Sequence, residues 1–280
     1  MKPSQIDHVI QLALEEDVPF GDLTTEAFVP AGAQARAELT AREAGVFSGG
    51  EVFRRAMTAL DPQVEVSLTI DDGAEFRQGQ VLASIEGPAR PILTCERIGL
   101  NLLQRMCGIA TTTAKYVAAA TGTRARIVDT RKTTPGLRAL ERHAVRCGGG
   151  HNHRFSLSDA VMAKDNHLAM VSGQGQDLAG AIREARARLP HTVHLEVEVD
   201  HLEQIPGALD GGADTIMLDN FSLEDLRRGV ELIDGRALVE ASGGVRLETV
   251  ADIAATGVDI ISVGALTHQV RALDLGLDFR

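Results

Sequence analysis

From Arg124 onward the chain alternates short apolar runs with amphipathic stretches, and no other feature restricts its fold as tightly. The apolar runs are Ile127-Val128, Ala160 to Ala163, Val193 to Val199, Thr215 to Leu218, Ala237 to Val239 and Asp259 to Val263. Helical patterns fill the gaps at 177–189, 201–209, 222–233 and 247–255. The last strand-to-strand steps are roughly 20 to 22 residues, a repeated strand–helix unit that implies a parallel sheet. This many repeats favour a barrel over an open sheet. Six strands are evident, a seventh is expected near 146–155, and a full eight is not evident. Parallel barrels gather their functional groups at the C-terminal ends of the strands. Here those ends read Asp129-Thr130-Arg131-Lys132, Lys164-Asp165-Asn166-His167, Glu196 and Glu198, Asp219-Asn220, Glu240 and Ser242, then Gly264. Charged groups at five strand ends, all on one rim, define a candidate site.

The residues before this repeat have another rhythm. An amphipathic helix is expected over 5–16, with Ile6, Val9, Ile10, Ala13 and Leu14 on one side, followed by an acidic turn region over 16–24. Residues 34–92 read as strand-rich: 35–41 and 64–70 alternate, 81–85 is another strand, and a helix over 50–60 interrupts them. These make a small α+β sandwich domain with no catalytic constellation of its own. A long helix is expected from Thr94, as its cap, to about Thr121, bent or broken near Gly108. Arg97, Asn101 and Gln104 fall on its polar side, and the helix serves as a bridge between domains.

The formal charge of −11, no Trp and one Tyr argue against a general nucleic-acid or membrane-surface binder. Yet 124–154 holds eight Lys/Arg against two acids, +6 in total, so the remainder carries −17. A basic focus in an acidic protein suits a small polyanionic ligand. Its centre is Asp129-Thr130-Arg131-Lys132-Thr133-Thr134-Pro135-Gly136-Leu137-Arg138: two adjacent cations, hydroxyl donors and a turn, a cradle for phosphates or carboxylates or else a solvated loop. Arg138 and Arg142, at i and i+4, read as a solvated helix face. Cys95, Cys107 and Cys147 are too few and too far apart for a disulfide framework or a Cys-based zinc site, and read as reduced thiols. No signal peptide or membrane span is expected, so the cytoplasm is the default compartment.

The late loops, 240–245 and 263–266, carry glycines that let backbone N–H groups approach an anion, as barrels do in loops after their last strands. The loop 147–154 is glycine-rich and holds His151, His153 and Arg154. A His-x-His metal site is set aside because no carboxylate or third His lies at ligand spacing; a mobile anion-binding loop with His153 and Arg154 as donors fits better. Lys164 is a structural ion pair, a Schiff-base lysine or another anion contact. Glu198 and Asp219 could hold Mg2+ or ribose hydroxyls, or balance charge. With many cations, few carboxylates, a phosphate loop and no evident nucleophile, the inventory suits transfer chemistry on a phosphorylated sugar.

Several runs together resemble the quinolinate phosphoribosyltransferase family. They are Glu16-Asp17 with Gly21 to Thr25, Thr94-Cys95-Glu96-Arg97, Gly108 to Thr111, Asp129 to Arg138, and Gly148 to Arg154. Lys164 to His167, Glu196 to Val199, Leu218 to Asn220, Ser242-Gly243-Gly244 and Val263 to His268 complete the pattern, nearly end to end. The resemblance implies transfer of phosphoribosyl from phosphoribosyl pyrophosphate to quinolinate, with Mg2+, giving nicotinate mononucleotide, pyrophosphate and CO2 in NAD biosynthesis. It implies an α/β fold: an N-terminal α/β sandwich over 1–108, with 269–280 packing on it, and an incomplete seven-stranded α/β barrel over 109–268, as in type II phosphoribosyltransferases. It implies a homodimer in which Arg97 reaches the partner's site. Arg131, His153, Arg154 and Lys164 would bind the quinolinate carboxylates, and Arg131, Lys132 and Lys164 the pyrophosphate. Glu198 and Asp219 would contact ribose and Mg2+; Ser242, Gly243, Gly244, Val263, Gly264 and Ala265 would hold the 5′-phosphate. Lys132, Lys164, Glu198 and Asp219 are the catalytic candidates. Competing readings are a Schiff-base aldolase-type barrel using Lys164 and a molybdate or other small-anion binder.

Overall fold

The computed structural model describes residues 1–164, 166, 167, 170 and 177–280, so Asp165 of the Lys164-Asp165-Asn166-His167 run lies outside the described residues. The chain forms two compact units, one of 1–114, 133–149 and 266–280, the other of 115–132 and 150–265.

The first unit opens with α1 (Pro3–Asp17), which buries Ile6, Val9 and Ile10, and α2 (Leu23–Phe28), whose first turn Asp22 caps by accepting the Thr25 N–H at 3.0 Å. Next come β1 (Gln34–Ala41), β2 (Gly45–Val46), α3 (Gly50–Met57), β3 (Glu65–Leu68), β4 (Glu75–Phe76) and β5 (Val81–Pro88). The last strand of the chain, β12 (Leu275–Phe279), pairs antiparallel with β1, giving a four-stranded sheet in the order β12-β1-β5-β3. Its inward residues Leu39, Ala41, Ala83 and Ile85 meet Phe53, Met57, Ile92, Leu100 and Leu103 in one core.

The long helix α4 (Ala89–Ala119) differs from its sequence reading at both marked points. It starts directly after Pro88, so Thr94 lies one turn inside it. The Thr94 hydroxyl donates to Asp22 at 3.1 Å instead of capping α4. Nor does it break at Gly108. A Cβ there would lie 2.2 Å from the carbonyl oxygen of Arg271, so this glycine admits a neighbouring backbone to an unbroken helix. Facing α4 within the same unit is α5 (Arg138–Cys147). Glu141, 1 % exposed, accepts two Arg105 N–H groups at 2.6 and 2.8 Å, while Arg105 also donates to Thr134 Oγ1 and the Thr267 carbonyl. Arg138 is half-buried and donates to Thr133 Oγ1 at 3.0 Å, so it is not simply solvated.

The second unit carries the repeat. Its strands are β6 (Arg126–Val128), β7 (Val161–Ala163), β8 (Leu195–Val199), β9 (Thr215–Asp219), β10 (Leu238–Ser242) and β11 (Ile260–Ser262), all parallel, in the order β6-β11-β10-β9-β8-β7. Between them run α6 (Leu178–Arg188), α7 (Ile205–Asp210), α8 (Leu223–Ile233) and α9 (Val250–Ala254); α10 (Ala265–His268) follows β11. Val128 also bridges His151 in parallel, which sets a one-residue seventh strand beside β6. That is the seventh position expected near 146–155, and the barrel is incomplete. Alternation assigns the faces. Val197, Val199, Ile216, Leu218, Val239, Ala241, Ile261 and Val263 are all buried on the outer face. Gly229 of α8 packs so closely there that a Cβ would lie 2.7 Å from Leu218 Cδ1. The opposite face holds Met162, Glu196, Glu198, Met217, Asp219, Glu240, Ser242 and Ser262, as the strand registers require. A polar inward face is what a barrel needs to build a site at its strand ends.

Candidate active site

A cavity of about 390 Å3 opens over this inward face and lies wholly in the second unit. Its cations are Arg131, Lys132, Arg154 and Lys164; His153, Asp219, Glu240, Ser242, Ser262 and Thr130 add polar groups, and Met162 and Met217 form the apolar floor. Seven of the residues singled out from the sequence therefore meet here: Arg131, Lys132, His153, Arg154, Lys164, Asp219 and Ser242.

The basic loop is positioned by Asp129, which is 0 % exposed. Its carboxylate accepts the His153 backbone N–H at 2.7 Å and the Asn152 side-chain amide at 2.6 Å. The Asp129 N–H in turn donates to the His151 carbonyl at 3.1 Å, and the His151 N–H to the Ile127 carbonyl at 2.8 Å. Residues 151–153 are thus tied to the end of β6, and the mobile loop expected there is pinned. Lys132 N–H donates to Thr130 Oγ1 at 3.1 Å, which turns the chain so that adjacent residues Arg131 and Lys132 both line the cavity.

His153 brings a second correction. No carboxylate is near it in sequence, yet β8 and β10 deliver two: Glu196 and Glu240 approach its Nε2 at 3.2 and 3.3 Å. Both are nearly fully buried, and one oxygen of each has no hydrogen-bond partner among the described residues. The Arg154 N–H donates to His153 Nδ1 at 2.7 Å, so Nδ1 offers a lone pair and Nε2 carries the hydrogen that faces the carboxylates. Burial alone would lower the imidazole pKa, but the two glutamates outweigh it and raise it. Burial, with Glu240 alongside, raises that of Glu196. Burial, then the neighbouring Arg131, holds the Arg154 guanidinium below its usual value.

Lys164 forms an ion pair with Glu198, which fixes its ammonium at the end of β7. An amine held in an ion pair is a poor Schiff-base nucleophile. Glu198 is 7 % exposed and belongs to the inward face, but it does not itself line the cavity. Asp219 does, and accepts the Asn220 side-chain amide at 2.6 Å. Next to it, Asn220 has φ 58° and donates its N–H to the Ser242 carbonyl at 2.9 Å. A Cβ on Gly243 (φ 88°) would lie 2.2 Å from Asn220 Oδ1, so only glycine fits where this loop passes the end of β9. Gly243, Gly244, Val263, Gly264 and Ala265 follow β10 and β11 without lining the cavity; the Val263 side chain points into the outer core, while its N–H donates to the Val128 carbonyl at 3.0 Å. Arg97 is exposed on α4 in the first unit and is not among the lining residues. In the sequence Asp129, Glu196 and Glu240 are marked only as polar strand-end residues; their hold on the loop and on His153 arises from the fold.

An incomplete α/β barrel whose strand ends surround a cation-rich, carboxylate-bearing pocket is an enzyme architecture for handling phosphates and carboxylates. Comparison with known proteins gives the family. Residues 22–107 match the N-terminal domain of quinolinate phosphoribosyl transferase and residues 109–278 its C-terminal domain. The nicotinate-nucleotide pyrophosphorylase [carboxylating] of Mycobacterium leprae is 47 % identical over 278 residues, 96 % of this chain and 95 % of that protein. A probable enzyme of the same name from Bacillus subtilis is 40 % identical, covering 99 % of this chain and 94 % of that one. The crystal structure of NadC from Streptococcus pyogenes superposes with a TM-score of 0.94 at 43 % identity, covering 100 % of this chain and 99 % of that one. The chain belongs to the quinolinate phosphoribosyltransferase family. Its reaction is the transfer of phosphoribosyl from phosphoribosyl pyrophosphate to quinolinate with loss of CO2, giving nicotinate mononucleotide and pyrophosphate in NAD biosynthesis.

Proposed function

We propose that the 390 Å3 cavity is where this transfer takes place, and that its four cations divide the two anionic substrates between them. The observation that carries this reading is the meeting of Arg131, Lys132, Arg154 and Lys164 with Asp219 and Ser242 at the strand ends. Quinolinate is a dianion, held by Arg131, His153, Arg154 and Lys164, where a guanidinium can take a carboxylate through two N–H bonds. Arg131, Lys132 and Lys164 hold the pyrophosphate. Ser242 with the backbone of Gly243, Gly244, Val263, Gly264 and Ala265 receives the 5′-phosphate. Asp219 and Glu198 contact the ribose and offset the positive charge that develops at its anomeric carbon as pyrophosphate leaves.

Mg2+ fits the donor set. Asp219 offers a hard carboxylate to the cavity, and Mg2+ is commonly held by one or two carboxylates together with substrate phosphates. Glu198 joins it only where Lys164 releases its carboxylate. When bound, the ion neutralises the leaving pyrophosphate. Decarboxylation follows the transfer, because the alkylated ring nitrogen then accepts the electron pair. The enzyme works as a homodimer with Arg97 serving the partner's pocket. Three free thiols suit a reducing compartment, and the cytoplasm is proposed.

One assay tests the core of this reading. Purified protein is mixed with quinolinate, phosphoribosyl pyrophosphate and Mg2+, with nicotinate as control acceptor, and nicotinate mononucleotide is followed by absorbance and mass. Product from quinolinate alone is expected; quinolinate-dependent CO2 without the sugar donor would overturn the order of steps. For the shared site, Arg97→Ala and Lys164→Ala proteins are mixed. Partial recovery of activity is expected, and no recovery after verified subunit exchange removes Arg97 from the partner's site.

A further inference from the structure

A second constellation lies in the first unit, and the transfer chemistry makes no use of it. Asp72, His143 and Cys147 place a carboxylate oxygen, an imidazole nitrogen and a thiol sulfur within 4.8 Å of one another. His143 and Cys147 are four apart on α5, so one helix turn puts them on the same face. Asp72 Oδ2 lies 2.6 Å from His143 Nε2. The other oxygen, Oδ1, accepts the N–H groups of Gly49 and Gly50 at 2.9 and 3.0 Å, which fixes the carboxylate against the first turn of α3. An ionised carboxylate only accepts, so Nε2 carries a hydrogen and Nδ1 is the nitrogen turned toward the thiol. Nδ1 is buried and has no well-formed hydrogen bond among the described residues; the group beside it is the Cys147 thiol. The thiol is half-buried, and the imidazole and carboxylate side chains are 20 % and 29 % exposed, so small solutes reach the group. Carboxylate, imidazole and thiol in this order are the parts of an activated sulfur nucleophile: the carboxylate orients the ring and keeps it charged, and the ring's charge stabilises the thiolate.

We propose that Cys147 is the reactive thiol of this protein, activated by His143 and Asp72, and that it is a modification site for hydroperoxides. The Cys147 S–H proton leaves to water, and the protonated ring of His143 stabilises the thiolate through its Nδ1–H. A sulfur lone pair then forms the S–O bond to one peroxide oxygen as the O–O bond breaks. The leaving oxygen takes a proton from the imidazolium and departs, as water when the oxidant is hydrogen peroxide, and the ring regains its proton from solvent. Sulfur is oxidised to the sulfenic acid and the peroxide is reduced. Cys147 ends α5, where the helix dipole disfavours an anion, so the imidazolium must supply the stabilisation. It is suited to this: the hydrogen bond to Asp72 first, then the adjacent thiol, pushes His143 up to about 9, against burial. The other two cysteines are built oppositely. Burial pushes Cys95 up to about 11 and Cys107 up to about 12, and among the described residues neither has such an imidazole beside it.

The test treats the full-length protein with limiting hydrogen peroxide, traps sulfenic acid with a dione reagent and reads each cysteine by peptide mass spectrometry, with glutathione as a standard in the same tube. Cys147 should react about tenfold faster than glutathione, with Cys95 and Cys107 unlabelled. Asp72→Asn and His143→Gln should each slow Cys147 about tenfold, through loss of the charged, oriented ring beside the sulfur. Asp72→Asn keeps an oxygen for the Gly49 and Gly50 N–H groups, and its melting temperature is measured beside its rate so that unfolding is not read as lost activation. A Cys147 no faster than glutathione, or one whose rate both variants leave unchanged, overturns the proposal.

Discussion

Replacing Gly108 by alanine separates two readings of the long helix by the sign of one number. If this glycine marked a bend, alanine would stabilise the helix, because glycine in a helix interior costs about 1 kcal/mol relative to alanine. In the structure α4 runs through 108 unbroken, and the missing side chain is filled by backbone. A Cβ would sit 2.2 Å from the Arg271 oxygen, 3.2 Å from its carbonyl carbon and 3.4 Å from the Ala272 Cα. None of these atoms belongs to a flexible side chain, so the segment must move by roughly 1 Å to restore ordinary contact. It is not free to do so: the Leu273 N–H donates to the Gln104 carbonyl at 2.9 Å, and the Gln104 side chain donates to the Leu275 carbonyl at 2.7 Å. Overpacking of this kind costs about 1–3 kcal/mol, and a disturbed hydrogen bond about 1 more. Subtracting the propensity gain leaves a net loss of about 1–3 kcal/mol. For a chain of this size the melting temperature should fall by about 2–10 °C. Calorimetry of Gly108→Ala beside the parent measures it. An unchanged or higher melting temperature would refute the packing argument and return the glycine to a propensity role.

Three further outcomes follow from buried charge. Glu141→Gln should destabilise by about 1–3 kcal/mol in urea titration, because it leaves the Arg105 guanidinium without its carboxylate in a half-buried setting; a change below about 0.5 kcal/mol would speak against it. His143, raised by Asp72 to about 9, contributes stability that is fully present below its unfolded value near 6.5 and fades as pH climbs through 9. The stability difference between parent and Asp72→Asn should therefore shrink between about pH 7 and 10, and a flat difference contradicts the ion pair. Glu240→Ala should lower kcat/KM for quinolinate about tenfold to a hundredfold by loosening His153, with Glu240→Gln retaining more; values within twofold of the parent would mean His153 needs no such support.

What the sequence displayed was what is local. The strand–helix rhythm after Arg124 gave the parallel sheet, and the polar residue at each strand end gave the rim, because side-chain alternation is a property of neighbours along the chain. The long helix was legible as a helix, but its start and the reason for Gly108 were not. Thr94 resembles a cap, and only the fold shows its hydroxyl engaged with Asp22. Gly108 answers to Arg271, some 160 residues further along, and no periodicity carries that information. The run Asp129 to Arg138 reads as one cradle; in the fold it divides after Lys132, its first part lining the cavity and its second bonding to Arg105. The absence of a carboxylate near His153 was a statement about spacing, and sheet register overruled it through Glu196 and Glu240.

Those two glutamates also explain how a pocket with four cations folds without its anions. Along the inward face three of the acids lie deep: Glu196, Glu198 and Glu240 are 4 %, 7 % and 1 % exposed, while Asp219 at the end of β9 is half-buried. The two lysines lie nearer solvent, with the Lys164 side chain 43 % exposed and Lys132 exposed, while Arg131 and Arg154 are half-buried. Like charges gathered in a low-dielectric cleft would repel strongly. These buried carboxylates, of which Glu240 also lines the cavity, offset that repulsion. Were the acids at the rim instead, they would compete for the guanidinium groups and repel a dianionic substrate. Depth is therefore the property that lets this pocket hold its cations in electrical balance when open, and strand register sets it, since Met217 pairs with both Glu198 and Glu240.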